Sequence, residues 1–170
     1  MGAAVQRLRD PVHGLIVFEV ERQSLDRLAW QLIDTPEFQR LRRIRQLGVS
    51  EFVFPGATHS RFAHSIGVFH MARRLYRLLR RALKKDHDPK RAAVAQIAAL
   101  LHDLGHGPFS HTFESVQRLR GTSKHHEKWS AEIIRDPTGT LRPLLEDYET
   151  GFCDEVAALL EAEDPTDIYH

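Results

Sequence analysis

The sequence predicts a nearly all-α fold with a short N-terminal β-hairpin or extended segment. Apolar residues recur at helical spacing in successive segments after residue 24, and a β-branched run follows a turn signal within residues 10–20. With 42% hydrophobic and 28% charged residues, the composition is typical of a folded globular chain. The 170 residues are enough for one ordinary domain, and the sequence contains no internal repeat or low-complexity segment.

The first elements follow from local signals. Residues 10–20 predict the hairpin or extended segment, and apolar spacing over Ser24–Ile33 predicts the first helix. Thr35-Pro36-Glu37 then supplies a cap, a first-turn proline and an acidic first turn, which mark the start of another helix. That helix is expected to end near Gly48. One face of it carries the apolar residues Phe38, Leu41 and Ile44.

A long helix is predicted over residues 64–85, after a loop at residues 51–60. Its apolar side is formed by Ile66, Val68, Phe69, Ala72, Leu75, Leu78, Leu79 and Leu83. Basic residues crowd the remainder: Arg73, Arg74, Arg77, Arg80, Arg81, Lys84 and Lys85. A solvated helix face is the favoured interpretation of this basic run, and a phosphate-binding or partner surface is the alternative.

The next helix, over residues 90–103, is apolar nearly all round and is therefore predicted to lie in the core. A short helix around residues 109–119, a polar loop at 120–126 and a helix from His126 to Ile134 follow. A last amphipathic helix is predicted near residues 154–162.

Composition also excludes several classes of protein. The formal net charge of +1 gives no general argument for binding nucleic acid or membranes. The single cysteine, Cys153, rules out a disulfide framework within the chain. No apolar run reaches the roughly 18 residues that span a bilayer, and residues 1–10 lack the apolar core of a signal peptide. A cytoplasmic protein without membrane contact is expected.

The predicted core helix ends in two adjacent side chains that are competent to bind a metal, His102 and Asp103. Burying an ionised carboxylate without a partner is costly, and a divalent cation is one natural partner for a carboxylate and an imidazole. A His-Asp pair alone is weak evidence, because the dipeptide is common by chance. The alternative is a helix-end histidine stabilised by the helix dipole, with the aspartate as an exposed turn residue.

Three features strengthen the metal interpretation. The pair follows the most apolar helix, and His106 and His111 come within the next nine residues. His64 stands at the predicted start of the preceding long helix, and two antiparallel helices joined near residues 86–89 would bring it beside His102 and Asp103. The sequence therefore predicts that these three side chains converge.

Together these motifs resemble the HD-domain metal-dependent phosphohydrolases, in particular the subfamily of the SAM-and-HD-domain dNTP triphosphohydrolase and bacterial dGTPase-like proteins. The resemblance covers roughly residues 9–134. It is carried by residues 9–14, 33–42, 46–48 and 53–57, by Arg61-Phe62-Ala63-His64-Ser65, and by His102-Asp103-Leu104-Gly105-His106-Gly107-Pro108-Phe109-Ser110-His111. It implies an HD-domain helical core behind the N-terminal hairpin.

The resemblance also implies roles for individual residues. His64, His102 and Asp103 match ligands of a divalent metal, which is Mn, Mg, Fe or Zn. His106, His111 and His126 match histidines that line the phosphate path in the family. The family residue that corresponds to His111 is a candidate general acid for the leaving deoxynucleoside oxygen. From helical spacing, Glu114 is predicted to orient His111, although the relatives tend to have Asp at that position. An exposed helix carboxylate is the alternative for Glu114.

Further matches concern nucleotide binding. Arg61 matches an arginine on the triphosphate, which agrees with the bidentate fit of guanidinium to phosphate oxygens. Gln46 matches a residue near the sugar that helps to reject ribose. Asp34, Gln39 and Arg42 match a regulatory guanine-nucleotide site of some tetrameric relatives.

The resemblance implies a second Asp ligand on a later helix, within a motif that residues 1–170 lack. Asp154, Asp164 and Asp167 are the late candidates, and none has the expected surroundings. We therefore interpret residues 1–170 as the N-terminal part of one HD domain, truncated before the final metal-ligand helix. Such a chain is expected to be weakly active or inactive alone.

The predicted function is hydrolysis of a dNTP to deoxynucleoside and triphosphate. Expected partners are the dNTP substrate, a regulatory GTP or dNTP, and further copies of the chain in a homo-oligomer. Nucleic acid stays open as a partner but is not required. Two alternatives stay open: a non-catalytic nucleotide-binding or oligomerisation module, and an HD-type nucleotide phosphodiesterase.

Overall fold

The computed structural model describes residues 5–83, 88–109, 111–121 and 124–162. It consists of helices around one core, with a two-stranded antiparallel hairpin at the N-terminal end, so the predicted fold class is confirmed. In chain order the elements are β1 (Gln6–Asp10), β2 (Gly14–Phe18), α1 (Ser24–Ile33), α2 (Pro36–Gln39), 3-10 helices at Arg40–Arg43 and Gly48–Phe52, α3 (Arg61–Leu83), α4 (Pro89–Leu101), α5 (His111–Leu119), α6 (His126–Arg135), α7 (Leu141–Tyr148) and α8 (Phe152–Glu161).

The hairpin turn is held by one side chain. Asp10 Oδ1 accepts hydrogen bonds from the backbone N–H groups of Val12, at 2.9 Å, and His13, at 2.7 Å. The strands pair from Gln6 opposite Phe18 to Asp10 opposite Gly14, so the first strand begins before the predicted segment. Alternation along β2 buries Phe18 against the helices and fixes the hairpin to the core.

The helix predicted to run from Thr35 to near Gly48 is shorter than expected. It is α-helical only over Pro36–Gln39 and continues as a 3-10 helix to Arg43, after which Ile44 is extended. The helix ends there because the Ile44 carbonyl accepts the N–H of Arg61 at 2.9 Å, next to a bridge between Arg45 and Ser60. The predicted apolar face is nevertheless buried.

Helix α3 begins at Arg61, three residues before the predicted start, because the Ser60 carbonyl accepts the His64 N–H at 3.1 Å. In the first half of its apolar side Ile66 and Phe69 are buried and Val68 and Ala72 are half-buried. The second half faces solvent: Leu75, Leu78 and Leu79 are 56%, 61% and 45% exposed. Since α3 has 23 residues and the α4 helix that packs on it has 13, α3 extends beyond its partner. Lys84 and Lys85 lie outside the described residues.

Helix α4 is the central core helix, as predicted, and it packs against α3 and α8. Helix α7 was not predicted. It has eight residues and contains Pro143, and only Leu141 and Leu145 bury completely, so its periodicity is too short to distinguish it from a loop. Among the described residues, no helix is long and apolar enough to cross a membrane.

Candidate metal centre and active site

The antiparallel packing of α3 on α4 brings His64, His102 and Asp103 together, as the spacing predicted. His64 Nε2 lies 3.9 Å from Asp103 Oδ2, and His102 Nε2 lies 3.3 Å from Asp103 Oδ1. The rings of the two histidines are 5.3 Å apart. The start of one helix and the end of the next thus form a single cluster.

The chemistry of this cluster fits a divalent metal. One ligand atom from each of the three residues lies within 4.8 Å of the others. His102 Nδ1 is 2.9 Å from the Ala99 carbonyl, which fixes the ring and leaves Nε2 facing the cluster. Burial lowers the pKa of His64, so its imidazole is neutral at physiological pH, as a metal ligand must be. Two imidazoles and a carboxylate are a suitable donor set for the divalent metals considered above.

Arg61 lies inside the protein beside this cluster. Its side chain is 2% exposed, and its Nη1 donates to Asp103 Oδ2 at 2.8 Å. The guanidinium compensates the charge of a carboxylate that is itself 3% exposed. This contact with Asp103 was not predicted from the sequence, which related Arg61 only to phosphate.

Two residues that sequence reasoning missed hold the segment after α4 in place. Ser130 Oγ, on α6, accepts the Gly105 N–H at 2.7 Å and donates to the His102 carbonyl at 2.7 Å. From the other side, Arg40 donates to the His106 carbonyl at 2.9 Å and also to the Leu104 carbonyl. These contacts join residues far apart in the chain, so no local pattern reveals them.

Gly105 allows α6 to approach this segment closely. A Cβ on Gly105 would lie 2.1 Å from the His126 carbonyl oxygen and 2.6 Å from the Ser130 nitrogen. Both contacts are with backbone, which cannot move without displacing α6. The glycine is therefore required for the position of His126 relative to the metal cluster.

A second cluster, formed by His106, His111, Glu114 and His126, adjoins the metal centre. The His106 and His126 rings stack at 3.8 Å, and the His111 ring lies 5.1 Å from that of His106. His106 Nε2 is 3.4 Å from Asp103 Oδ1, so the two clusters share that carboxylate. The histidines predicted to line a phosphate path thus lie together.

Glu114 binds two of these histidines at once. Its Oε2 is 3.1 Å from His111 Nδ1, and its Oε1 is 2.8 Å from His126 Nδ1. Burial opposes ionisation, but the hydrogen bonds and charges of these two imidazoles prevail and lower the pKa of Glu114. The contact between Glu114 and His111 is the one that helical spacing predicted, and the contact with His126 is new.

His106 is the most deeply buried histidine of the cluster, with a side chain 1% exposed. Burial, together with the charges of neighbouring groups such as His126 and Arg61, lowers its pKa to about 2. His106 is therefore neutral across the physiological range. It can donate or accept a hydrogen bond but cannot serve as a cationic proton donor.

Gln46 lies where the chain approaches the start of α3. Its N–H donates to the His59 carbonyl at 3.1 Å, and its side-chain Oε1 is buried without a hydrogen-bond partner among the described residues. A buried amide oxygen without a partner is costly, and a bound polar group would satisfy it.

Asp34, Gln39 and Arg42 lie together at the junction of α1 and α2. Gln39 Nε2 donates to the Ile33 carbonyl at 2.7 Å, and its Oε1 accepts from Arg42 Nε at 2.6 Å. The Arg42 guanidinium also stacks on the Phe62 ring at 3.5 Å. The exposed Asp34 follows Ile33 directly, so the three polar side chains border one surface region.

None of the late aspartates joins the metal cluster in the part of the chain that the structure describes. Asp154 is on α8, is 65% exposed and pairs with Arg135 at 3.3 Å. Asp164 and Asp167 lie outside the described residues. A further carboxylate ligand stays a prediction.

The HD domain family matches residues 61–163, from the start of α3 to just beyond α8. This range includes all three residues of the metal cluster and all four of the histidine cluster.

The chain belongs to the HD domain family.

Relatives place this HD domain more closely. The chain is 41% identical to the uncharacterized protein YwfO of Bacillus subtilis, over 89% of this chain and 32% of that protein. It is 45% identical to the deoxynucleoside triphosphate triphosphohydrolase SAMHD1 of Bos taurus, over 74% of this chain and 20% of that protein. It is 52% identical to SAMHD1 of Xenopus laevis, over 62% of this chain and 16% of that protein. The chain thus spans a third or less of the length of these curated relatives, and it is similar to HD-domain dNTP triphosphohydrolases.

Proposed function

We propose that this HD domain is the metal-binding part of a dNTP triphosphohydrolase, which converts a dNTP to deoxynucleoside and triphosphate. The observation that carries the proposal is the convergence of His64, His102 and Asp103 next to a histidine cluster held by Glu114. The similarity to proteins named as deoxynucleoside triphosphate triphosphohydrolases supports the choice of substrate.

His64, His102 and Asp103 would hold the metal, with a further ligand from another segment. When bound, a divalent metal neutralises phosphate charge and activates water for attack. Arg61 is placed to help, because its guanidinium already compensates Asp103 and belongs to the residue type that pairs with phosphate oxygens. The metal at this site would be Mn, Mg, Fe or Zn.

The histidine cluster would carry the proton transfer. Water adds to the α-phosphorus, the bond from phosphorus to the 5′ oxygen breaks, and the leaving oxygen needs a proton. We assign that proton to His111 Nε2, since Glu114 binds Nδ1 of the same ring and the side chain, at 71% exposed, is accessible to a ligand. Neutral His106 and the second Glu114 partner, His126, would line the phosphate path.

Gln46 and the group formed by Asp34, Gln39 and Arg42 would recognise nucleotide. The buried Gln46 Oε1 lacks a partner among the described residues, which supports a contact with the sugar of a bound dNTP. The contiguous placement of Asp34, Gln39 and Arg42 supports a regulatory GTP or dNTP site. We further propose that the protein is a homo-oligomer, as the resemblance described above implies.

Product analysis tests the reaction. The purified chain, and any longer protein that contains it, are incubated with each dNTP and Mn or Mg, and the products are resolved by ion-exchange chromatography. We expect deoxynucleoside and intact triphosphate from the longer protein, at least 100-fold less with Asp103→Ala, and unchanged turnover with His125→Ala, which removes an exposed histidine from the N-cap of α6. Monophosphate products would indicate a phosphodiesterase instead. No turnover, with nucleotide-dependent association that survives His102→Ala plus Asp103→Ala, would indicate a binding module.

A further inference from the structure

A cavity of about 780 Å³ opens between β2, the start of α1 and the middle of α3. This volume lies within the roughly 300–1,000 Å³ that small-molecule sites occupy. Basic side chains line it: Arg22 precedes α1, and Arg73, Arg77 and Arg80 follow one face of α3 at helical spacing. The cavity is thus concave, of ligand size and rich in guanidinium groups.

The acidic residues in this cavity are already engaged. Asp26 Oδ1 pairs with Arg73 Nη1 at 2.7 Å, and its Oδ2 accepts the Glu19 N–H at 2.8 Å. The Glu19 carboxylate accepts from Gln23 at 3.1 Å and is the other acidic group in the wall. When the ion pair of Asp26 with Arg73 is set aside, the cavity wall still carries more positive than negative charges.

Three arginines, Arg22, Arg77 and Arg80, remain against the single carboxylate of Glu19, so the excess is two positive charges. Arg77 uses its Nε on the Arg73 carbonyl at 3.3 Å, and neither Arg22 nor Arg80 makes an ion pair with a described residue. Guanidinium groups gathered in a concave surface repel one another, and a bound anion relieves that repulsion. Arginine forks also match phosphate oxygens in geometry.

The amino end of α1 adds a second positive feature. Ser24 and Gln23 line the cavity, and Gln23, the N-cap residue, makes no side-chain hydrogen bond to the helix. The first N–H groups of this 10-residue helix therefore lack a side-chain cap. A helix amino terminus favours an anion through these donors and through the helix dipole.

The cavity is separate from the sites described above. Arg77 follows His64 by 13 residues along α3, which is about 20 Å at the rise of an α-helix. The cavity lies at the start of α1, whereas Asp34 follows its other end, about 15 Å away. Neither the metal centre nor the region of Asp34, Gln39 and Arg42 accounts for it.

We propose that this cavity, which we call the arginine pocket, binds the phosphate chain of a small polyphosphate ligand of the nucleoside triphosphate class. Its concave form favours a small molecule over a nucleic acid backbone, which needs an extended surface. Tyr76 in the wall supplies an aromatic ring of the kind that nucleotide bases stack on. The proposal does not depend on the reaction proposed for the metal centre.

Calorimetric titration of the whole chain with inorganic triphosphate, in the presence of a chelator, tests the arginine pocket. Arg77→Ala plus Arg80→Ala removes two of its arginines, and Arg74→Ala plus Arg81→Ala removes two exposed arginines of the same helix that do not line it. Both variants lose the same charge, and thermal melting verifies that both are folded. We expect at least tenfold weaker binding for the first variant and a change below twofold for the second.

Equal losses in the two variants would show general electrostatic attraction and overturn the proposal, as would unchanged binding in the first variant or no binding to the wild type. A non-hydrolysable dNTP analogue added in parallel distinguishes the ligand source: tighter binding than triphosphate identifies a nucleotide, and equal binding identifies the phosphate chain alone. A short single-stranded oligonucleotide that binds the same arginines more tightly than either compound would replace the small-molecule proposal.

Discussion

Glu114 shows how a single side chain can organise a cluster of histidines. Each of its oxygens binds the Nδ1 of a different histidine, so one carboxylate fixes the orientation of His111 and of His126. An aspartate, which the resemblance led us to expect at this position, is one methylene shorter. We infer that the longer side chain allows the second contact.

Replacing Glu114 by Gln should reduce turnover about 10- to 100-fold, the range typical for residues that orient a functional histidine. The amide oxygen can accept from one imidazole, but its NH₂ group cannot accept from the other, so one of the two histidines loses its fixed orientation. Steady-state kinetics measure the loss of turnover. Glu132→Gln, an exposed carboxylate on α6, is the control, and equal losses in the two variants would argue against an orienting role.

Three histidines that are buried or half-buried make the free energy of unfolding depend on pH. Burial is the first cause of the lowered pKa of His64, His70 and His106, to about 2 for His106. In the unfolded chain their pKa values return toward about 6.5, so below that pH the unfolded state binds more protons than the folded state. The stabilising effect of neutral burial is thus fully present above pH 6.5 and is lost as the pH falls below it.

Thermal melting of the metal-free chain should accordingly show a midpoint that is nearly constant from pH 7.5 to about pH 6.5 and then decreases towards pH 5. His106→Gln should flatten this dependence, since it removes the group with the largest shift. His125→Ala, which removes an exposed histidine, should leave the slope unchanged. A wild-type midpoint that is constant over this range would contradict the assignment of neutral, buried histidines.

At the scale of elements, the site depends on how closely α6 approaches the end of α4. Gly105→Ala should destabilise the fold by about 3 kcal/mol or more, because the added Cβ would meet backbone atoms of α6 at 2.1 Å and 2.6 Å. The displaced α6 would also carry His126 away from Glu114. Chemical denaturation measures the loss, and Gly56→Ala is the matched control, since a Cβ there would contact nothing within 4 Å. A loss below 1 kcal/mol would mean that α6 can shift at little cost.

The sequence predicted those elements whose signals are local. Periodicity alone located α1 and α4, and antiparallel packing of α3 on α4 followed from the short connection between them. The predicted end of the helix that follows Thr35 was wrong. The observed end is set by pairing with residues near Ser60, which are distant in the chain. The roles of Ser130 and Arg40 were not predicted for the same reason. Each side chain donates a hydrogen bond to a backbone carbonyl at least 28 residues away in the chain.

Part of the site was predictable for a chemical reason. His102 and Asp103 follow a helix too apolar to lie outside the core, so a buried carboxylate that needs a partner could be inferred from the sequence. The structure adds that Arg61 already supplies one such partner, at 2.8 Å. The arginine pocket could not be predicted, since the periodicity of α3 shows that arginines share a face but not that a cavity lies beneath them.

At the scale of the whole molecule, the metal centre joins two helices that also carry much of the core. His64 comes from the first turn of α3, and His102 and Asp103 come from the end of α4, so a bound metal would link them across the fold. A ligand that binds only the folded state stabilises it by mass action, by about 2.7 kcal/mol at 100 times its dissociation constant. For a chain of this size that corresponds to an increase of about 5–10 °C in the melting midpoint.

Saturating Mn or Zn should therefore raise the melting midpoint of the purified chain by this amount, and a chelator should reverse the shift. Asp103→Asn should abolish the increase, because the amide is a poor ligand for these ions and the two histidines alone leave the site incomplete. His125→Ala should retain it, since that exposed histidine lies outside the cluster. An increase that persists in Asp103→Asn would place metal binding elsewhere, with His111, Glu114 and His126 as the next group to test. This measurement requires no turnover, so it separates a chain that binds metal without catalysis from one that does not bind metal at all.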